Sequence, residues 1–202
     1  MKTIILVQHT EAEHHLNGCI GAWQDWNLTE HGREQAFRIG EWLKGAGCDS
    51  TWAMFVSPQA RALQTAEEIN RTLGITPAVR EELREVNAGE GNGKTREWYR
   101  EHAAPRGPVF DPDHKDFPDA DSDRELWDRL LPFYTDLMAA PDERILVVSH
   151  GTTLSFLQSM LTGQVVEDRG RFRFNGRSGS LSRFTVEDSG RVTADYVNHF
   201  ID

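Results

Sequence analysis

Short apolar runs alternate with amphipathic segments along most of the chain. Three such runs lie at residues 3–7, 52–56 and 144–148. The near-continuous Val, Ile and Leu of the first and third predict strands that are covered on both faces, as in a parallel sheet. Each run is followed at once by a pair of polar or turn residues, which are Gln8-His9, Ser57-Pro58 and Ser149-His150.

The segments between these runs have apolar positions at helical spacing. Four helices are predicted, at about residues 30–45, 58–73, 123–139 and 152–162. Thr29 is the expected N-cap of the first helix. Ser57 is the expected N-cap of the second, with Pro58 in its first turn.

This alternation of strand and helix predicts a three-layer α/β/α sandwich with a mostly parallel central sheet. Residues 180–200 alternate with a period of two around a Ser189-Gly190 turn, which predicts antiparallel C-terminal strands added to that sheet. Residues 102–121 contain four prolines among five aspartates. We therefore expect a lid-type insertion at about residues 96–122 within a single domain that spans residues 1–202.

The composition limits the classes of partner. A net charge of -10 at pH 7 argues against nucleic acid and anionic membranes as partners, but a local cationic pocket can still bind a small anion. Cys19 and Cys48 form no disulfide framework and suit a reducing compartment. The N-terminal apolar run, about five residues long, is too short for a signal peptide or a spanning helix. A cytoplasmic protein is expected.

Candidate chemistry lies at the ends of the predicted strands. In parallel sheets, ligands bind beyond the carboxyl ends of the strands, so we expect His9, Arg61 and His150 to meet at one edge. Two imidazoles, a guanidinium and helix N-termini suit an anion such as phosphate. A neutral imidazole can attack phosphorus, and a second one can donate hydrogen bonds to the phosphate oxygens.

A metal site is the alternative for the N-terminal segment, where possible ligands crowd together at His9, Glu11, Glu13, His14 and His15. Their spacing matches neither H-E-x-x-H nor H-x-x-E-H, which place two histidines on one helix face. No carboxylate directly follows the other predicted strands. We therefore expect no metal and no other cofactor, with Glu11 and His14 as bystanders.

Five sequence blocks together resemble the histidine phosphatase superfamily, the phosphoglycerate mutase-like proteins. They occur in the family's order over roughly residues 3 to 155, as "LVQHT", "DWNLTEHGREQA", "SPQARALQTAE", "LREVNAGEGNGKT" and "VVSHGTTL". The resemblance implies a phosphoglycerate mutase-like fold.

The resemblance also implies a role for individual residues. His9 would be the nucleophile that forms a phosphohistidine, and Arg61 would bind the transferring phosphoryl group. His150 would be the second catalytic histidine, and Gly151 would leave room for the phosphate at the start of a helix. Glu85 would protonate the leaving oxygen and later deprotonate the attacking water.

Three positions depart from the family's pattern. The family has arginine where Gln8 stands, glycine where Thr10 stands, and commonly asparagine where His15 stands. Loss of one charge-assisted hydrogen bond could cost roughly ten- to a hundredfold in rate. Gln8 can still donate one hydrogen bond to phosphate, and a protonated His15 could restore the positive charge. Lys94 and Arg96 are alternative sources of that charge.

The sequence thus predicts a phosphatase that hydrolyses a small phosphate monoester through a phosphohistidine on His9. Hydrolysis is favoured over mutase chemistry because the chain is short and its insertion does not resemble that of the mutases. One alternative is a weak or inactive member that binds a phosphorylated ligand, which Gln8 favours; another is a metal-dependent hydrolase. The expected partner is a small-molecule phosphate ester, not nucleic acid or membrane. The identity of the ester and the formation of a homodimer stay open.

Overall fold

A six-stranded sheet with the order β3-β2-β4-β1-β5-β6 lies at the centre of the computed structural model, which describes residues 1–201. Its strands are β1 (Lys2–Gln8), β2 (Ala53–Val56), β3 (Pro77–Val79), β4 (Arg144–Ser149), β5 (Leu181–Val186) and β6 (Val192–His199). Strands β3, β2, β4 and β1 pair in parallel, whereas β5 pairs antiparallel with β1 and β6 antiparallel with β5. The predicted sheet is confirmed.

Within residues 1–201, six helices connect and cover these strands. They are α1 (Glu13–Leu16), α2 (Glu30–Gly45), α3 (Ala60–Leu73), α4 (Arg96–His102), α5 (Asp123–Ala139) and α6 (Gly151–Leu161). Short 3-10 turns lie at Glu81–Leu83, Gly89–Gly91 and Val166–Gly170. Among residues 1–201, none of the helices combines the length and the apolar character needed to cross a membrane.

Alternate residues of β1 enter two separate cores. Ile4 and Leu6 pack in one cluster with apolar side chains of α5 and α6, while Ile5 and Val7 pack in another with those of α2 and α3. Each fully buried aliphatic side chain contributes about 1.5–3 kcal/mol, so both faces of the strand stabilise the sandwich. The three predicted layers are therefore present, with β1 and β4 between helices on both sides.

Four local features differ from the sequence predictions, and two of them are helices α1 and α4, which were not predicted. Strand β3 was not predicted, because it is an exposed edge strand of three residues that begins at Pro77. Helix α3 begins at Ala60 with Gln59 at its N-cap, so Ser57 is not the cap. The Ser57 hydroxyl lies instead 2.7 Å from Nε2 of His150, and its contact with the Gln59 N–H is long, at 3.4 Å.

The segment predicted as an insertion begins with α4 and then continues without a further helix or strand, in the part of the chain described here, up to α5. Charged side chains hold it in place. Its ion pairs include Arg106–Asp116, Lys115–Glu125 and Arg124–Asp113. This segment is thus tied both to itself and to the first turn of α5.

Candidate active site

The carboxyl ends of β1 and β4 bring two histidines side by side. Gln8 pairs in register with Ser149, so the residues that follow them, His9 and His150, leave the sheet together. The two imidazole centroids are 5.2 Å apart, and both side chains are buried. Parallel pairing of neighbouring strands therefore forms the base of the candidate site.

A backbone carbonyl determines the tautomer of His9. Its Nδ1 lies 2.8 Å from the carbonyl oxygen of Thr10, which can only accept, so Nδ1 carries the proton and the lone pair is on Nε2. Burial lowers the pKa of His9 well below its ordinary value, and the charge of Arg61 lowers this pKa further. His9 is therefore a neutral imidazole with a nucleophilic Nε2.

Arg61, in the first turn of α3, is the cation nearest to this nitrogen. Its Nε–H donates to Nε2 of His9 at 3.2 Å, and its terminal nitrogens donate to the carbonyls of Gln24 and Ala22, each at 2.8 Å. These bonds use three of the five N–H groups of a guanidinium. Burial lowers the pKa of Arg61 to about 10, so the side chain keeps its positive charge at neutral pH.

His150, fully buried beside His9, has an unused ring nitrogen. Its Nε2 lies 2.7 Å from the Ser57 hydroxyl, while its buried Nδ1 has no hydrogen-bond partner among the described residues. Burial, followed by the charge of Arg61, lowers the pKa of His150 well below its ordinary value. When the hydroxyl donates to Nε2, the Nδ1–H becomes a donor available to a bound anion.

Glu85 reaches the site from the loop after the first 3-10 turn. Its carboxylate accepts the backbone N–H groups of Thr152 and Thr153, each at 3.1 Å, at the N-terminus of α6. The Val86 N–H donates to it as well, at 2.9 Å. The carboxylate lines one cavity of about 310 Å³ together with His9 and Arg61, so a group capable of proton transfer borders the candidate nucleophile.

The residues that hold Glu85 in place were not predicted from the sequence. Gln59, which is fully buried, accepts the Glu85 N–H at 2.8 Å and donates to the Ala22 carbonyl at 2.6 Å. Arg129 of α5 donates to the Glu85 carbonyl at 3.0 Å. Only the position of Gln59 just after the second apolar run is a sequence signal, and nothing local indicates Arg129.

Gln8 lines the same cavity as His9, but its amide is hydrogen-bonded to the segment before β5. In the amide orientation that satisfies both of its polar atoms, it donates to the Arg177 carbonyl and accepts the Ser178 N–H, each at 3.3 Å. A Cβ at Gly151 would lie 3.1 Å from one terminal atom of this amide, and a Cβ at Gly176 would lie 2.8 Å from the other. The side chain therefore fills the space between the start of α6 and the segment before β5.

His15 and His14 complete a cluster of imidazoles. His15 accepts the Ala12 N–H on its Nδ1 at 3.0 Å, and its ring stacks on that of His9 at 5.6 Å. Burial and the charge of Arg96 lower the pKa of His15, so it is a neutral side chain that can donate from Nε2. His14, expected to be a bystander, is buried beside both rings, and burial lowers its pKa to about 3.

This cluster gives the metal alternative a structural test. One ring nitrogen from each of His9, His14 and His15 lies within 4.8 Å of the other two. However, Nε2 of His9 already accepts from Arg61, and the Ala12 N–H on Nδ1 of His15 leaves the proton on its Nε2. Metal-binding imidazoles usually donate from the nitrogen that is not coordinated. A metal ion would have to displace both hydrogen bonds, so the donor set fits a metal poorly.

A second cavity, of about 470 Å³, extends from His9 toward the segment before β5. Arg96 lines this cavity and the smaller one, whereas the Lys94 ammonium lies 5.0 Å from the ring centroid of Trp98. Of the two alternative cations, the structure therefore brings Arg96 to the site. Phosphate is the ligand that best matches a buried guanidinium, neutral imidazoles and a helix N-terminus.

A neutral, oriented histidine beside a buried arginine and a second histidine is an arrangement suited to phosphoryl transfer by an imidazole. Comparison with known families agrees. The sequence profile of the histidine phosphatase superfamily (branch 1) matches residues 4–199, and the chain belongs to this family.

Known relatives include both phosphatases and mutases. The chain is 32% identical over 174 residues to a Hydrogenobacter thermophilus protein named "Putative phosphoserine phosphatase 2", covering 83% of this chain and 82% of the relative. It is 27% identical over 185 residues to a 2,3-bisphosphoglycerate-dependent phosphoglycerate mutase of Methylorubrum extorquens, covering 82% of each chain. A mycobacterial glucosyl-3-phosphoglycerate phosphatase shares the fold, with a TM-score of 0.82, 20% identity and 100% of both chains covered.

Proposed function

We propose that this protein is a phosphatase that hydrolyses a small phosphate monoester through a phosphohistidine on His9. The observation that carries the proposal is the 2.8 Å contact between Nδ1 of His9 and the Thr10 carbonyl oxygen. This contact leaves the lone pair on Nε2, which lies beside Arg61. His9 lines both cavities of the site. Tautomer and orientation of the nucleophile are thus arranged before any substrate arrives.

In the first step, Nε2 of His9 attacks phosphorus and forms a P–N bond while the ester P–O bond breaks. The N–H groups of Arg61 that are not already bonded, together with Nδ1–H of His150, stabilise the charge on the phosphoryl oxygens. The protonated carboxyl of Glu85 gives its proton to the leaving oxygen, so the product is a neutral alcohol.

In the second step, water attacks phosphorus from the side that the alcohol has left. Glu85, now a carboxylate, takes a proton from this water, the P–N bond breaks, and inorganic phosphate is released. Nε2 of His9 recovers its lone pair. No metal ion is needed in this scheme, because the free N–H groups of Arg61 and the Nδ1–H of His150 provide the stabilisation.

Phosphate binding is assigned to four residues, which are His15, Gly151, Arg61 and Gln8. His15 would donate from Nε2 as a neutral imidazole rather than as a cation, because its pKa is lowered. Gly151 would admit an oxygen near the start of α6, where a Cβ would lie 3.1 Å from the Gln8 amide. Arg61 supplies the charge, and Gln8 would contribute at most one neutral hydrogen bond after turning from its contacts with residues 177 and 178.

A second candidate function is binding of a phosphorylated ligand with weak or no turnover. The observation that favours it is the amide of Gln8, which faces the Arg177 carbonyl and the Ser178 N–H and not the imidazole of His9. Without an arginine at this position, one guanidinium fewer stabilises the transition state, a loss of about ten- to a hundredfold in rate.

One experiment separates these functions. Phosphate release from a panel of monoesters is measured with and without chelator, for the wild-type protein, His9→Ala and Gln8→Arg. The phosphatase proposal predicts release by the wild type that chelator does not change and that His9→Ala abolishes. Release only after Gln8→Arg would establish the binding function instead. Loss of activity with chelator would overturn the metal-free scheme, and phosphoryl transfer to an added alcohol in place of water would indicate a mutase.

A further inference from the structure

His14 is a buried imidazole with an unpaired nitrogen. Only 6% of its surface is exposed, and its Nδ1 has no hydrogen-bond partner among residues 1–201. Buried polar atoms in folded proteins are almost always paired, so an unpaired one in a candidate active site points to a ligand. Among the described histidines, only His14 and His150 have a buried nitrogen of this kind, and both rings lie beside that of His9.

His14 also borders both cavities at the nucleophile. It lines the cavity of about 310 Å³ together with Arg61, and the cavity of about 470 Å³ together with His15. The other residues that line both cavities are His9, Glu85, Arg96 and Thr152. A phosphate group that reaches His9 from either cavity therefore meets the ring of His14.

The distances among three imidazoles fit a phosphate oxygen. One ring nitrogen from each of His9, His14 and His15 lies within 4.8 Å of the other two. For any three points at such separations, one position lies within about 2.8 Å of all of them, which is the length of a hydrogen bond to oxygen. An oxygen of a phosphate bound at His9 can thus accept hydrogen bonds from His14 and His15 together.

The charge state of His14 suits the same ligand. Burial, with smaller contributions from His15, Arg61 and Arg96, lowers its pKa to about 3, so the side chain is neutral in the free protein. A neutral imidazole carries one N–H and one lone pair. Because two guanidinium groups lie near this ring, electrostatics favours an anion over a metal cation as its partner.

Three neighbours fix the orientation of the His14 ring. A Cβ at Gly21 would lie 2.8 Å from both Cδ2 and Nε2 of His14, so the imidazole fills the place of a side chain at residue 21. The ring centroid is 3.9 Å from that of His15 and 6.3 Å from that of Trp26. The imidazole is thus held in position before a ligand binds, which reduces the entropy lost on binding.

We propose that His14 donates a ring N–H to a non-bridging oxygen of the phosphoryl group that His9 attacks. His14 is then a catalytic residue, since it touches the reacting group, whereas the sequence predicts a bystander. This inference rests on the proposed phosphatase function and deepens it. Together with His15, His14 provides two neutral donors at a site where residue 8 carries an amide and not a guanidinium.

The affinity for phosphate analogues measures this contact. Inorganic phosphate and orthovanadate are titrated by calorimetry into the wild type, His14→Phe and His14→Gln. Phenylalanine fills the same space without an N–H, so both dissociation constants should rise about tenfold, the effect of one hydrogen bond to a charged group. Glutamine retains a donor and should restore binding to within about threefold of the wild type.

An exposed histidine of α2 provides the matched control. His31→Phe makes the same chemical change away from the site and should bind both anions as the wild type does. In steady-state hydrolysis of a monoester, kcat/KM should fall about tenfold in His14→Phe and stay unchanged in His31→Phe. Unchanged dissociation constants in His14→Phe would overturn the proposal.

Nuclear magnetic resonance of the wild type tests the contact without a substitution. The protein is prepared with isotope-labelled histidine, and the ring signals are followed as orthovanadate is added. A hydrogen bond to the anion should shift the His14 ring N–H downfield and slow its exchange with water. A role in packing alone leaves this N–H without an acceptor. Saturation with orthovanadate that shifts the signals of His9 and His150 but not the exchange rate at His14 would overturn the proposal.

Turnover and binding together keep this proposal separate from the phosphatase function. If the wild type hydrolyses monoesters through His9, and His14→Phe keeps the wild-type affinity and kcat/KM, the phosphatase function stands and the role of His14 is wrong. If both anions bind through His14 but no monoester is hydrolysed, the phosphate contact is supported and the phosphatase function is contradicted. Failure of both anions to bind the wild type would also overturn the assignment of His14.

Discussion

Arg61 donates its Nε–H to Nε2 of His9 at 3.2 Å, so the lone pair that would attack phosphorus accepts a hydrogen bond in the free protein. Both side chains are buried, and the two terminal nitrogens of Arg61 are bonded to the carbonyls of Gln24 and Ala22. When phosphate binds, the Nε–H has a stronger acceptor in a phosphate oxygen. The same hydrogen bond thus occupies the His9 lone pair in the free protein and places the guanidinium next to the reacting group.

Arg61→Lys should strongly impair turnover. Lysine keeps the charge but lacks the planar set of donors, so two charge-assisted hydrogen bonds to phosphate, each contributing about 1.5–3 kcal/mol, are not reproduced. We expect kcat/KM to fall by about two to four orders of magnitude. Arg38→Lys, on the exposed face of α2, is the matched control in the same steady-state assay. A loss below tenfold would show that Arg61 does not bind the transferring group.

Glu85→Gln tests proton transfer to the leaving oxygen. An amide cannot protonate an alkoxide. The rate constant for presteady-state release of the alcohol from alkyl phosphates should therefore fall by about 10²–10⁴-fold. The same step with p-nitrophenyl phosphate should be much less affected, because p-nitrophenolate leaves without a proton. Glu90→Gln, on an exposed residue of the second 3-10 turn, should leave both substrates unaffected. Equal losses for the two substrates would contradict the assigned role.

Gln59 should act on the reaction through Glu85. Gln59→Leu removes the acceptor of the Glu85 N–H and leaves a buried donor unpaired, which costs about 1–3 kcal/mol in free energy of unfolding. Because Glu85 is then less well positioned, kcat should also fall by about tenfold or more at unchanged KM. Gln64→Leu is the control, since Gln64 accepts the Leu28 N–H in the same way but away from Glu85. If both variants lose stability and neither loses kcat, Gln59 is structural only.

The histidine cluster should make stability depend on pH. Burial lowers the pKa of His14 to about 3, whereas an unfolded histidine titrates near 6.5. Between these two pH values the unfolded chain binds a proton that the folded chain does not, so the free energy of unfolding decreases as the pH falls below about 6.5. One such group contributes up to about 1.4 kcal/mol per pH unit.

Urea unfolding at pH 7, 6 and 5 measures this dependence. Between pH 7 and pH 5, the free energy of unfolding of His14→Gln should decrease by about 2 kcal/mol less than that of the wild type. His31→Gln, on an exposed histidine of α2, should follow the wild type. An identical loss in His14→Gln and the wild type would show that His14 is protonated in the folded protein over this range.

Much of the fold was predictable because β1 and β4 are buried on both faces and therefore consist of continuous apolar runs. Helix α5 was predicted at its observed bounds, since Ser122 caps it and apolar residues recur along one face. Strand β3 escaped prediction because three exposed residues beginning with proline have no pattern of their own. The start of α3 was wrong because the Ser57 hydroxyl contacts His150, which lies 93 residues away in the chain.

The candidate site was predictable where it depends on strand ends. The rule that parallel strands end at one edge was sufficient to bring His9, Arg61 and His150 together. It could not indicate Gln59 or Arg129, which reach Glu85 through packing between distant segments. The burial of His14 depends on Gly21, where a Cβ would lie 2.8 Å from the His14 ring.

The most direct test of the account is to trap the phosphorylated protein and locate the phosphoryl group. The protein is mixed with a monoester that it hydrolyses, and the reaction is quenched rapidly in base, which preserves phosphohistidine. The phosphorylated residue is then mapped by peptide mass spectrometry. We predict one phosphoryl group on His9, lost on acid treatment and absent from His9→Ala. Turnover without any phosphorylated peptide, or a phosphoryl group on His14, His15 or His150 instead, would contradict the account.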